Sequence, residues 1–278
     1  MRHREVKRHI RRLDDIRQII NSMKNIAIME SHKLSKYLIT QRQVVQNIEE
    51  VAADFKHFFP EVFSSTNTAR SIYILIGSER GFCGNYNETL LAKYDSIERE
   101  PGDISTLIVV GNKLANYMGT DAGIDSIIDG AFAIEEVQTV LLQLSEVVSS
   151  LVTAYGLLQL NVIYHDLKAN EVVKSQVLPP FVDTVIPIKF PYPPGLNMIP
   201  RDFARELVDQ YIYARLHQIL YASLMAENDH RYRHLDSAVR RLDEKGQELD
   251  QHMRFLRQEE IIEEIEVILL SAESVAQK

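Results

Sequence analysis

Leu34, Leu38, Gln41, Val45, Ile48, Ala52 and Phe55 are spaced by fours and threes, and Ile10, Leu13, Ile20, Met23 and Ala27 keep nearly the same stripe upstream. Such spacing holds one side of an α-helix against one partner. It predicts a helix from about residue 3 to residue 58, on the order of 80 Å long at 1.5 Å per residue. The end of the chain repeats the pattern. Leu235, Val239, Leu242, Gly246, Leu249, Met253 and Leu256 step alternately by four and three, a heptad-like seam with a glycine in it. Leu216, Leu220 and Leu224 extend it upstream, and Ile261, Ile262, Ile265, Ile268 and Leu269 continue its apolar character downstream. The predicted second helix runs from about residue 201 to 274, roughly 110 Å.

Helix breakers are confined to the middle. All nine prolines lie between Pro60 and Pro200, and ten of the eleven glycines between Gly77 and Gly195. Only Gly246 interrupts a terminal segment, as a bend or as a place where a partner backbone approaches. Two long helices at opposite ends of one chain need cover for their stripes. The simplest cover is each other, as an antiparallel coiled coil; a helical bundle or two separate coiled coils are the alternatives.

The middle alternates. Apolar runs at Ile72–Ile76, Leu107–Val110, Ser126–Ile128 and Leu160–Tyr164 suit strands buried on both faces. Helix-like stretches lie around Asn87–Glu98, Asn112–Met118 and Glu135–Leu158, and Val172–Leu178 reads as an edge strand. Phe190–Pro200 reads as an extended loop into the last helix. The expected fold class is therefore α/β: paired terminal helices with an inserted, mainly parallel, Rossmann-like domain. The expected boundaries are 1–59 and 201–278 for the helices and 70–195 for the insertion.

Composition narrows the function classes. The 278 residues carry 31 Lys and Arg against 39 Asp and Glu, a net charge of −8, which disfavours nucleic-acid binding by bulk positive charge. The basic start alone remains a minor route to such binding. One cysteine, Cys83, excludes an internal disulfide and a multi-cysteine metal site. No uninterrupted apolar run approaches the ~18 residues of a membrane span. The basic start has no apolar core behind it, so it is not a secretory signal, and a cytoplasmic location is expected.

Candidate chemistry is sparse. The turn Gly77–Gly84 is not GxGxxG, and no GxxxxGK[ST] loop occurs, so the glycines after Ile76 and Val110 read as strand-to-helix turns. Cys83 has no histidine near it in sequence and reads as a small buried hydrophobe. His230 and His234 are four apart, but without the glutamate of HExxH and with two arginines between them they read as an exposed polar face. Glu259, Glu260, Glu263, Glu264 and Glu266 read as a solvated face or as a surface meeting partners. Arg2, Arg4, Lys7, Arg8, Arg11, Arg12 and Arg17 crowd the opposite end of the chain, a polarity that could steer assembly. No catalytic, cofactor or metal site is expected.

Three stretches resemble the gamma subunit of F-type ATP synthases. Arg11-Arg12-Leu-Asp-Asp-Ile-Arg17, followed by Ser22-Met23-Lys24-Asn-Ile-Ala27, is similar to that family's N-terminal helix. Gly77-Ser-Glu-Arg80-Gly81-Phe82-Cys83-Gly84-Asn85-Tyr86-Asn87 is similar to its RGLCG-x-x-N turn. Ser223-Leu-Met-Ala-Glu227-Asn228 and Arg257-Gln258-Glu-Glu-Ile261-Ile262-Glu263-Glu264 are similar to its C-terminal S-L-x-S-E-N and RQ-x-x-I-T-x-E signatures. The chain departs from the pattern at Arg17–Ser22, at Asp229–Leu235 and at Ile262, which resembles a divergent branch similar to the alternative bacterial form of the enzyme.

The resemblance implies a central rotor stalk with no active site and no cofactor. The terminal helices would be a shaft inside a ring of alpha and beta subunits. The inserted domain would be a foot on the membrane ring of c subunits, in contact with epsilon. There would be one copy per complex, peripheral on the cytoplasmic side of a bacterial inner membrane, coupling ion translocation to ATP synthesis or hydrolysis. Met23, Lys24, Arg257 and Gln258 would meet the alpha/beta ring; Arg80, Gly81, Cys83, Gly84 and Asn87 would form the motif turn of the foot. The contrasting readings are an α/β enzyme with a coiled-coil dimerisation insert, or a coiled-coil adaptor with a ligand-binding head.

Overall fold

The computed structural model describes residues 3–63, 70–97, 105–119, 123–156, 158–181 and 192–276. Helix α1 spans His3–Phe58 and α5 spans Pro200–Ala276, within two residues of the ends that the breaker-free segments predict. Pro200 is the first residue of α5, where its missing N–H costs nothing. Between them lie β1 (Ser71–Ile76), α2 (Tyr86–Asp95), β2 (Ser105–Val110), α3 (Asn112–Met118), β3 (Ser126–Ile128), α4 (Val137–Tyr155), β4 (Gln159–Asp166) and β5 (Glu171–Leu178). All five expected strands are present. The expected helix ends at Glu98 and the start of the loop at Phe190 lie outside the described residues.

The chain divides into two compact units, Met1–Ile26 with Tyr232–Lys278, and Ala27–Arg231. In the first, α1 and α5 run antiparallel: Arg17 pairs with Asp243 at 2.5 Å and Lys24 with Asp236 at 3.2 Å. Val6, Leu235 and Val239 are buried in the seam.

In the second unit the strands are ordered β3-β2-β1-β4-β5. β1 is parallel to β2 and β4, β2 is parallel to β3, and β5 joins β4 antiparallel as the edge. The period of two in β1 separates two cores. Ile72, Ile74 and Ile76 face α4 (Val137, Val140, Leu141, Leu144), and Leu34 of α1 with Leu216, Ile219 and Leu220 of α5 joins that core. Tyr73 and Leu75 face Leu90 of α2 and Leu114 of α3. By length and composition Ile134–Tyr155 could cross a membrane. One face, Val137, Val140, Leu141, Leu144 and Val148, packs on the sheet, while Leu142 and Val152 stay exposed on the other. The helices also pair here: Gln41 Nε2 donates to the Ala214 carbonyl at 3.0 Å, and Phe55 packs on Phe203 at 4.8 Å. Their stripes are thus shared between each other and the sheet, so the coiled-coil expectation describes only part of their cover.

Candidate functional site

In an open parallel sheet the usual ligand site is the crevice outside the carboxyl ends of the strands where the order reverses. Here that point lies between β1 and β4. The chain leaves β1 through Gly77, where an added Cβ would lie 2.4 Å from Leu114 Cβ, so only glycine lets α3 pack there. The turn then runs to Asn85. Ser78 N–H donates to Asn87 Oδ1 at 3.0 Å, and Asn87 Nδ2 donates to Ser78 Oγ at 2.9 Å. Asn87 thereby fastens the turn to the first turn of α2.

Glu79 ties the turn to the neighbouring strand ends. Its carboxylate accepts the N–H of Asn112 at 2.9 Å and of Gly130 at 2.7 Å, and the Asn112 side-chain amide at 2.9 Å. A side-chain carboxylate thus takes the backbone N–H groups at the start of α3 and after β3. Arg80 lies with its guanidinium 3.4 Å from the centre of the Phe132 ring. Gly84 and Phe82 both have positive φ, and Phe82 is exposed.

Helix α5 covers part of the crevice, and beside it a cavity of about 510 Å³ stays open between Asn85, Thr89, His165, Asp166 and His230. Glu227, buried, accepts the N–H of Glu79 at 3.4 Å and also bonds the Arg80 N–H. It forms an ion pair with Arg231, one helical turn on and equally buried. Arg231 also donates to Asn228 Oδ1 at 2.9 Å and to the Gly81 carbonyl at 3.4 Å. Tyr86 O–H reaches the Ser223 carbonyl at 3.1 Å, and Ser223 Oγ lies 3.4 Å from the Ile76 carbonyl. The Tyr86 ring stacks on His165 at the end of β4, 3.9 Å between centroids, with His230 edge-on at 5.3 Å. His165 Nε2 donates to the Tyr86 carbonyl at 2.9 Å.

The electrostatics favour holding over reacting. Burial, and then the Glu227 charge, push the Cys83 thiol up to about 12, so it is not a nucleophile near neutrality. Burial pulls His165 down to about 4, leaving it neutral. Burial also raises the Glu227 carboxyl, against the pull of Arg231 and the two backbone N–H groups. No group of three or more His, Cys, Asp or Glu among the described residues could hold a metal ion.

Of the residues singled out from sequence, Arg80, Gly81, Cys83, Gly84 and Asn87 all lie in this turn, and Cys83 is the buried small residue expected. Met23 and Lys24 are half-buried in the other unit; Arg257 and Gln258 there are exposed. Lys24 bonds Asp236, so Arg257 lies about 30 Å further along α5 and the two pairs are separate places. One expectation is corrected. His230–His234 is not an exposed polar face throughout: Arg231 is buried and His230 half-buried, because Glu227 and the aromatic stack draw them inward, while Arg233 and His234 are exposed. Sequence reasoning also passed over Glu79, Tyr86 and His165. The i, i+4 pair Glu227–Arg231 was the available signal.

A family model described as ATP synthase matches residues 2–275. An ATP synthase gamma chain of Clostridium botulinum is 25% identical, covering 97% of each chain. One of Moorella thermoacetica is 25% identical, covering 98% of each. A rotor chain in the mitochondrial ATP synthase of Euglena gracilis shares the fold, with a TM-score of 0.64 at 14% identity, covering 93% of this chain and 98% of that one. A chain from another rotational state of that assembly, with its F1 and c-ring, gives 0.62 at 16% identity, covering 99% and 96%. The match runs nearly end to end over the paired helices, the motif turn and the C-terminal helix alike, and the chain belongs to the ATP synthase gamma family.

Proposed function

We propose that this chain is the central rotor stalk of an F-type ATP synthase and is itself non-catalytic. Residues 1–59 and 201–278 form the shaft within a ring of alpha and beta subunits. Residues 70–195 form the foot, against epsilon and the ring of c subunits. The complex sits at the bacterial inner membrane with this subunit on the cytoplasmic side, held there only through the ring. Ion flow turns the foot, and the asymmetric shaft contacts each beta subunit differently as it turns. Only such differential contact can shift a nucleotide site between its states. Met23, Lys24, Arg257 and Gln258 are the proposed contacts with the alpha/beta ring.

The observation that carries the reading is the family match over residues 2–275. One contact supports the non-catalytic part: Glu227 takes the backbone N–H groups of the turn after β1, which in a nucleotide-binding fold would face a phosphate. The same ties fasten the turn to α5, so torque on the foot reaches the helix through buried polar bonds.

Co-purification from native membranes, with a tag on the central domain, tests this. Recovery of alpha and beta subunits with one copy of this chain is the expected result. Recovery of the chain alone, or as a homodimer with bound nucleotide, would overturn it in favour of the enzyme reading.

A further inference from the structure

We propose that the groove opened by Gly246 in the two-helix seam is a socket for one basic side chain, lysine or arginine, presented by a subunit of the surrounding ring. The inference rests on the rotor reading. Its starting point is a residue with no local justification. Glycine is among the poorest residues for a helix interior. A Cβ added at Gly246 meets nothing within 4 Å, so no close approach requires it. What glycine does provide is space. In a seam stepping by four and three, position 246 should carry a knob, and its loss leaves a groove of about 410 Å³.

The lining is two-sided. Ile10, Leu13 and Leu242 line it with apolar surface, and Asp14, Asp243 and Asp250 line it with carboxylates. The groove's one cation, Arg17, is engaged by Asp243 at 2.5 Å. Asp14 and Asp250 have no ion pair among the described residues. Apolar side chains beside the unpaired carboxylates of Asp14 and Asp250 fit an aliphatic stem ending in a positive charge. A plain hydrophobe would leave those carboxylates unanswered, and an acidic side chain would be repelled.

The test uses the assembled complex with Gly246→Ala, Gly246→Leu and the double variant Asp14→Asn/Asp250→Asn. Alanine restores helix propensity without filling the groove; its ATP hydrolysis is expected to stay within about twofold of the parent. Leucine fills it; turnover is expected to fall about tenfold, the size of losing one strong interface contact, with alpha and beta still recovered. The double variant keeps the shape and removes the charge. It is expected to lower turnover several-fold and to flatten the dependence on salt. Leucine and alanine variants that both keep the parent's turnover would show the groove empty and overturn the proposal. Alanine as damaging as leucine would show that flexibility at Gly246 matters rather than the space. If leucine prevents assembly, the double variant decides alone, and parent-like rate and salt dependence would overturn the proposal. Failure of the parent chain to bring down alpha and beta would instead sink the rotor reading itself.

Discussion

Arg231–Glu227 and Arg17–Asp243 are the same chemical pair in two settings. The first lies in the α/β unit with both side chains 4% exposed; the second bridges the two-helix unit with exposures of 45% and 41%. Burial changes what such a pair does. In the α/β unit the two charges are out of water, so each needs the other and the N–H and carbonyl groups around them. In the two-helix unit water screens them, and the pair adds little. The apolar surface divides in the same sense. The α/β unit packs most of its large hydrophobes on the sheet, whereas Ile16, Ile19, Phe255, Ile261, Ile262, Ile265, Val267, Ile268 and Leu269 stay exposed in the two-helix unit. A seam between only two helices has too little area to cover them. Both units keep apolar surface for partners, Met29, Ile39, Phe82 and Leu142 among it in the α/β unit, but only that unit has a sheet against which to bury the rest.

The comparison breaks most visibly at Arg231. Arg231→Met alone leaves Glu227 buried without its cation, and the expected loss of stability is about 3–5 kcal/mol. The double variant Glu227→Gln/Arg231→Met should recover much of that. Urea unfolding of the purified chain, followed separately by a probe in the sheet, measures both. A single variant costing under 1 kcal/mol would mean that water reaches the pair.

The next effect is acid sensitivity confined to the α/β unit. The His165 pKa falls from 6.5 to about 4 because burial disfavours its charged form. A group depressed in the fold contributes stability above its unfolded pKa and loses it as pH drops through the folded one. The contribution is therefore full above about pH 6.5 and gone below about pH 4, at most about 3 kcal/mol. The groups around the ring are the Tyr86 stack, Thr89 Oγ1 at 3.3 Å and the like-charging His230. His165→Phe keeps the stack and removes the titration, so its unfolding midpoint should change much less between pH 7 and pH 5 than the parent's. An unchanged slope would assign the acid sensitivity elsewhere.

These two groups also mark what the sequence left hidden. The terminal helices were legible nearly to the residue because proline and glycine stop at their ends. The strands were legible because burial on both faces makes continuous apolar runs. The strand order was not, since pairing β1 between β2 and β4 is a long-range choice with no local signature. Arg231 was misread for the opposite reason: its neighbours His230, Arg233 and His234 are polar, so the local pattern averages to solvent. Only the carboxylate one turn earlier and the turn arriving from β1 bury it. The motif turn is found by its residues, but its place in the crevice, tied to α5 through Glu227 and Arg231, needs the topology.

Gly246→Ala tests the two-helix unit by itself. Nothing within 4 Å opposes the added methyl, so the gain in helix propensity should appear as about 1 kcal/mol of added stability. The same substitution at Gly77, against Leu114 at 2.4 Å, should destabilise the α/β unit. Opposite signs for one chemical change would show that the two units use glycine differently, as missing bulk in one and as required clearance in the other. Melting temperatures of the two single variants read the signs.

The smallest expected effect is the counterpart of the first. Asp243→Asn removes the partner of Arg17, yet both groups are nearly half exposed. Water replaces the lost contact, and the Debye length of about 8 Å at physiological salt screens what remains. The expected cost is about 0.5 kcal/mol or less, and it should vanish in 1 M salt. Lys24–Asp236 and Arg240–Asp236 lie along the same rod and share one carboxylate. If Asp243→Asn cost as much as Arg231→Met, the rod's charges would be acting as a coupled network rather than as separate solvated pairs. The same variant with Asp236→Asn would then show an interaction energy well above zero, whereas independent pairs predict simple addition.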